Sequence, residues 1–256
     1  MGSEAVVQPG SEPGEPARLG FFGRLAGIYF EPGKTFEDIN RKRSWVGMFV
    51  IIAILAMAAG YALTLRVDPQ TMMRKGLERN PFTKNMPEEQ KERILARPVN
   101  VFQRYSQVIF APVGILVVYL ASAGVLLLVM MLMGASVSYK KSLAVTVWGL
   151  AAPGAVHLLL ALVLVFLKDP DALDVFNVAN NVASNLGIAV VENEHPVFHS
   201  ILSSIDVFSA WGIYLLALGF STVSRGTLSM RKAAFGVMIP WALYVVVKTA
   251  LAGIFA

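Results

Sequence analysis

The stretch that decides the fold is 143–167, LAVTVWGLAAPGAVHLLLALVLVFL, which holds no Asp, Glu, Lys or Arg. As a helix it covers roughly 38 Å, more than a bilayer's hydrocarbon core of about 30 Å. Four more apolar runs share this character: 45–65, 108–133, 207–223 and 233–256, of which only the last contains a charge, Lys248. Runs of this length without charge belong to helices in lipid, where every backbone group must be satisfied within its own segment. The chain is therefore expected to be an all-α, polytopic membrane protein with five transmembrane helices over 45–256. Pro112, Pro153 and Pro240 fall within these runs and are tolerated where neighbouring helices satisfy the freed carbonyls.

Composition agrees with that reading. Of 256 residues, 55% are hydrophobic and only 15% charged, against about 25% charged in a soluble domain. No cysteine is present, which excludes disulfides and thiol catalysis. The net charge of +5 reads as loop Lys and Arg facing lipid phosphates, not as a nucleic-acid surface.

Outside the spans the chain changes character several times. Residues 1–17 are rich in Gly, Pro, Ser and Glu, the composition of a disordered tail. Residues 18–44 crowd Leu19, Phe21, Phe22, Leu25, Ile28, Tyr29 and Phe30 ahead of Glu31-Pro32-Gly33. This stretch is too short to span and suits amphipathic helices in the headgroup region, the second capped by Thr35 and closed by Arg41, Lys42 and Arg43. In the connection 66–107, Asp68-Pro69 and Pro87-Glu88-Glu89 each open an amphipathic helix that would rest on the membrane surface. The acidic connection 168–206 is apolar at helical spacing over 175–191, interleaved with Asn177, Asn180, Asn181 and Asn185, the pattern of an interfacial helix or a partial re-entry.

Orientation follows from the tight turns. Lys and Arg nearly balance over the two sides, but Lys140-Lys141 and the turn from Arg225 through Arg231 and Lys232 are basic without an acid. That bias puts the N-terminus in the cytoplasm and the C-terminus opposite it.

Candidate chemistry is sparse. His157 lies mid-span, four residues after Pro153, and reads either as a proton-relay group or as a neutral imidazole bonded to a carbonyl that the proline frees. Asp206 and Lys248, in consecutive helices joined by a short turn, fall at nearly equal depth, which suits a structural ion pair. His195 and His199 stand at i and i+4, but Pro196 between them fits only a first helical turn, and no His-Glu-x-x-His pattern or cysteine supports a metal. Met130, Met131 and Met133 read as packing. With no nucleophile elbow, no phosphate-cradling loop and no carboxylate pair inside a span, the residues point away from an enzyme and require no cofactor.

Read in order, several features resemble the Yip (Ypt-interacting protein) domain family, in its prokaryotic branch. They are Glu31-Pro32 followed by Thr35-Phe36, Arg41-Lys42-Arg43 before the first span, and Gly134 with Tyr139-Lys140-Lys141-Ser142-Leu143 before the third. Ser203-Ser204-Ile205-Asp206-Val207-Phe208 and the final Tyr244 and Lys248 complete the set. The resemblance implies five helices with a cytoplasmic N-terminus, here in a bacterial inner membrane. It also implies partners, since eukaryotic relatives bind Rab-type small GTPases and act in vesicle traffic. A membrane-organising or adaptor protein is the expected function. The alternative is a small transporter or channel with a polar path through His157 and the 168–206 connection.

Overall fold

The computed structural model describes residues 19–254 apart from 81, 84, 192 and 193; the expected disordered tail, 1–17, lies outside them. α1 (Phe21–Phe30) and α2 (Pro32–Lys42) form a hairpin. α3 (Val46–Arg66) follows, then the short α4 (Pro69–Arg79) and α5 (Glu88–Leu95). α6 (Val101–Leu132), α7 (Tyr139–Leu167), α8 (Pro196–Leu202), α9 (Val207–Val223) and α10 (Met230–Ile254) complete the chain. α3, α6, α7 and α10 are long and apolar enough to cross a membrane. At 17 residues, α9 covers roughly 26 Å, the short end of a span.

α7 is the centre of the bundle. It touches α3, α6 and α9, and meets α1 and α2 as well, α1 at Trp148 and Ala152. From Lys141 to Pro153 every residue but Leu150 is buried, which explains why this helix is apolar all round instead of along one stripe. Its neighbours come close because small residues let them. A Cβ on Gly149 would stand 2.9 Å from Leu216, and one on Gly219 would stand 2.6 Å from Val145 and 2.9 Å from Phe36. Across the α6 contact, the Ser142 hydroxyl donates to the Ala123 carbonyl at 2.6 Å and the Tyr139 hydroxyl to that of Leu120 at 3.0 Å. Met130 is buried, and with Met133 it lies over Gly236 of α10. The outer faces of α6 and α10, with Val117, Leu128, Leu243 and Val246, stay exposed on the molecule and are the surface a bilayer covers.

Several boundaries differ from the sequence reading. α6 starts at Val101 and not near 108, because Asn100 and Gln103 form a capping box: Asn100 accepts from the Gln103 N–H at 2.8 Å, and Gln103 accepts from the Asn100 N–H at 3.1 Å. α7 and α10 likewise begin three or four residues early, at Tyr139 and Met230. α2 is not capped by Thr35. It starts at Pro32, and Thr35 sits inside it, donating to the Glu31 carbonyl at 3.1 Å. α4 and α5 occur as read, with Asp68 capping α4 through the N–H groups of Gln70 and Thr71.

The close approach at Gly219 is the point where the bundle has least room. Gly219→Leu is expected to destabilise the detergent-solubilised protein by about 1–3 kcal/mol through overpacking. Gly114→Leu, where nothing stands within 4 Å, should leave the unfolding transition in place.

Candidate functional site

At one end of the bundle the α1–α2 hairpin is docked on protein. α2 turns Phe36 and Ile39 inward against α9 and α7, and α1 buries Ile28 beside them. The amphipathic pattern read as a lipid-facing surface is thus largely satisfied by the bundle. Phe22 and Phe30 remain exposed.

What fixes the hairpin is a buried charge. Arg24 is 3% exposed, and its Nε meets the Asp38 carboxylate at 2.5 Å. Its Nη1 also donates to the Ser44 hydroxyl. Asp38 in turn accepts from the Leu19 N–H at 3.3 Å, which holds the approach to α1. The Ser44 carbonyl accepts from the Trp148 indole at 2.8 Å, so the same short linker ties the hairpin to α7. Tyr29 completes the attachment, donating to the Ala152 carbonyl at 3.1 Å and meeting Trp211 edge-on. Between α1 and α2 a shallow cleft of about 170 Å³ is lined by Gly23, Gly27, Lys34, Glu37 and Arg41 among others. Its floor needs Gly27, where a Cβ would stand 2.4 Å from the Thr35 hydroxyl.

The basic residues singled out from sequence gather around this end. Arg41 and Lys42 close α2, and Arg43 caps it with a positive φ of 47°. Lys140 and Lys141 open α7, Arg225 follows α9, and Arg231 and Lys232 open α10. All are exposed except Lys141.

The opposite end holds the other polar candidates, and two expectations are corrected there. No ion pair joins Asp206 to Lys248. Asp206 caps α9 by accepting from the Ser209 N–H at 3.0 Å and its hydroxyl at 3.2 Å, while its Oδ1 is buried without a hydrogen-bond partner. Lys248 reaches the serines just before it, Ser203 at 2.8 Å and Ser204 at 3.2 Å. Neutral hydroxyls on the C-terminal side of α8 thus stand where the carboxylate was expected. His157 does not bond a carbonyl freed by Pro153. Its ring stacks on Phe208 with centroids 4.2 Å apart, its Nε2 has no partner, and its other nitrogen faces the Ala179 carbonyl.

The 168–206 connection is not an interfacial helix. Among the described residues it holds three short 3₁₀ turns, Pro170–Ala172, Val178–Asn181 and Leu186–Ala189, followed by α8. Its asparagines make the turns: Asn177 caps the second and Asn185 the third, while Asn181 braces the backbone of Asp174. Lys75 of α4 donates to the carbonyls of Asp171 and Leu173, and Arg79 pairs with Asp174 at 3.3 Å. His195 is the N-cap of α8 and Pro196 its first residue, with His199 in the last turn. Among the described residues no three His, Cys, Asp or Glu side chains stand together as a metal site. A second cavity, about 320 Å³, lies where α3, α4 and α6 meet, lined by Thr64, Met72, Gln103 and Arg104 among others. Arg104 donates there to the Thr64 carbonyl at 2.9 Å.

The buried pair was not visible from sequence, since its members are 14 residues apart across a turn. The one available signal was that Arg24 shares a helix face with Ile28 in an otherwise apolar segment.

Two outcomes follow from these attachments. Arg24→Met or Asp38→Asn alone should each lower stability by about 3–5 kcal/mol, and the double change by less than their sum, in detergent unfolding. For Asp174, burial raises the carboxyl pKa. The N–H groups of Asn177 and Phe176, the Asn180 amide and the Arg79 charge outweigh burial and hold it below the ordinary carboxylate range. A depressed pKa contributes stability above the unfolded value, about pH 4, that is lost as pH falls through the folded value. A nitroxide on Ala172→Cys, in a chain otherwise free of cysteine, should therefore stay immobilised at neutral pH and loosen only below that point.

A family model, that of the Yip1 domain, matches residues 26–251, nearly the whole chain. No curated protein and no solved structure matches it.

Proposed function

The chain belongs to the Yip1 domain family, and from that premise we propose that it is a membrane-organising adaptor whose docked α1–α2 hairpin presents a partner surface beside the bilayer. The observation that carries this reading is the attachment itself. A hairpin clamped by Arg24, Asp38, Ser44 and Trp148 keeps one shape, so a partner that meets it pays little ordering entropy. Exposed Phe22 and Phe30 and the mixed-charge cleft with Lys34, Glu37 and Arg41 supply apolar anchors and polar specificity. The partner class that the family resemblance implies is a membrane protein or a small GTPase. In this reading the hairpin end faces the cytoplasm of a bacterial cell, and the protein carries out no catalysis.

The transporter alternative has less to support it. The asparagines that suggested a polar path are used up in folding the 168–206 connection, and His157 is covered by Phe208.

A photo-crosslinking residue in place of Glu37 in living cells should give a discrete protein adduct, and one in place of Glu92 on α5 should not. Equal adducts at both positions, or none at Glu37, would contradict the adaptor. So would a solute flux in proteoliposomes that disappears with His157→Phe.

A further inference from the structure

Three cations from three separate elements converge at the hairpin end. α7 and α9 run antiparallel in close register, with Gly149 against Leu216 and Val145 against Gly219. One further turn toward the start of α7 is one further turn toward the end of α9. Lys141, in the first turn of α7, therefore lies level with the end of α9, and Arg225 stands just beyond it. α2 lies over the same end through Phe36 on Gly219 and finishes at Arg43. The charges that bear on the Lys141 ammonium are those of Arg225 and Arg43.

Among the described residues this arrangement has no counter-charge. Lys141 is only 8% exposed, yet its side chain has no hydrogen-bond or ion-pair partner among the described residues. Nor have the side chains of Arg43 and Arg225. The Lys141 stem is packed and its ammonium comes out beside two exposed guanidinium groups, and three like charges gathered at one place repel one another unless an anion joins them. The backbone is also held unusually here, since Arg43 and Arg225 have φ of 47° and 52°, the left-handed region that non-glycine residues seldom adopt. Ser138, just before α7, supplies no side-chain cap, and the positive end of the helix dipole lies at this same end of the helix. The apolar run of α7 begins at Leu143, which sets Lys141 at the boundary between hydrocarbon and headgroups.

We propose that Lys141, Arg43 and Arg225 form a binding site for a phosphate-bearing anion, occupied by the headgroup of an anionic phospholipid in the adjoining leaflet. Arginine supplies forked donors suited to phosphate oxygens, and lysine a point charge beneath them. The site stands whether or not a protein partner docks on the hairpin, because it uses none of the residues of the α1–α2 cleft.

The test uses the full chain in dodecyl maltoside, titrated with short-chain phosphatidylglycerol, phosphatidylcholine or inorganic phosphate while its thermal transition is followed. Phosphatidylglycerol should stabilise the protein at lower concentration than phosphatidylcholine. Its apparent affinity should fall about tenfold or more in Lys141→Met and in Arg225→Asn, and stay within about twofold in Arg231→Gln. Asparagine tolerates the left-handed backbone at position 225, so that variant keeps the question open to measurement if Lys141→Met fails to fold. Inorganic phosphate that competes at millimolar levels and loses its effect in the same variants would support the site and assign it to free phosphate. Absence of that competition, with the lipid effect intact, would support the headgroup. Unchanged affinity in both variants, an equal loss in Arg231→Gln, or equal binding of phosphatidylcholine would overturn the proposal.

Discussion

A guanidinium shut away from water has to be neutralised where it sits, and Arg24 imposes that requirement on one end of the molecule. Asp38 comes to it across the α1–α2 turn at 2.5 Å, and Ser44 across the linker into α3. Removing Arg24 or Asp38 alone would leave an uncompensated buried charge, which costs more than the pair itself contributes. The angle between α1 and α2, the path of the linker and the position of Ser44 beneath Trp148 are therefore set together. Two amphipathic helices that could have drifted along a lipid surface become a fixed part of the bundle.

The second organising element is α7, which is buried from Lys141 to Pro153 at every residue but Leu150. Helices gain little from apolar burial inside lipid, so close packing and interhelical hydrogen bonds have to hold them. Gly149, Gly219 and Gly236 supply the close approaches, while Ser142 and Tyr139 supply bonds to α6. The same antiparallel register brings the start of α7, the end of α9 and the end of α2 to one level. Arg43, Lys141 and Arg225, spread over about 180 residues of sequence, thus become neighbours.

Legibility in the sequence followed the physics of each feature. Spans are announced by long runs without charge, and α9 appears with the bounds read for it because Asp206 caps its start. The start of α6 was hidden because a capping box of two polar residues extends the helix beyond the membrane, where apolarity is no guide. The 168–206 connection misled because its apolar spacing is helical, yet Asn and Asp side chains offer the backbone local bonds that compete with a helix. Asp206 and Lys248 do lie in one neighbourhood. Which partner wins there depends on Ser203 and Ser204, whose hydroxyls reach the ammonium first, and no counting of residues along two helices reveals that. The Arg24–Asp38 pair was silent for the same reason: it exists only once the hairpin is folded.

The proposed adaptor surface depends on the hairpin being part of the bundle in every environment. With no cysteine in the chain, nitroxides placed at Lys34 in α2 and Arg231 at the start of α10 report that relation directly by double electron–electron resonance. The docked hairpin predicts one narrow distance distribution, the same in detergent micelles and in zwitterionic or anionic bilayers. A broad distribution, or one that shifts with the lipid, would mean that the hairpin follows the membrane surface and would contradict the account.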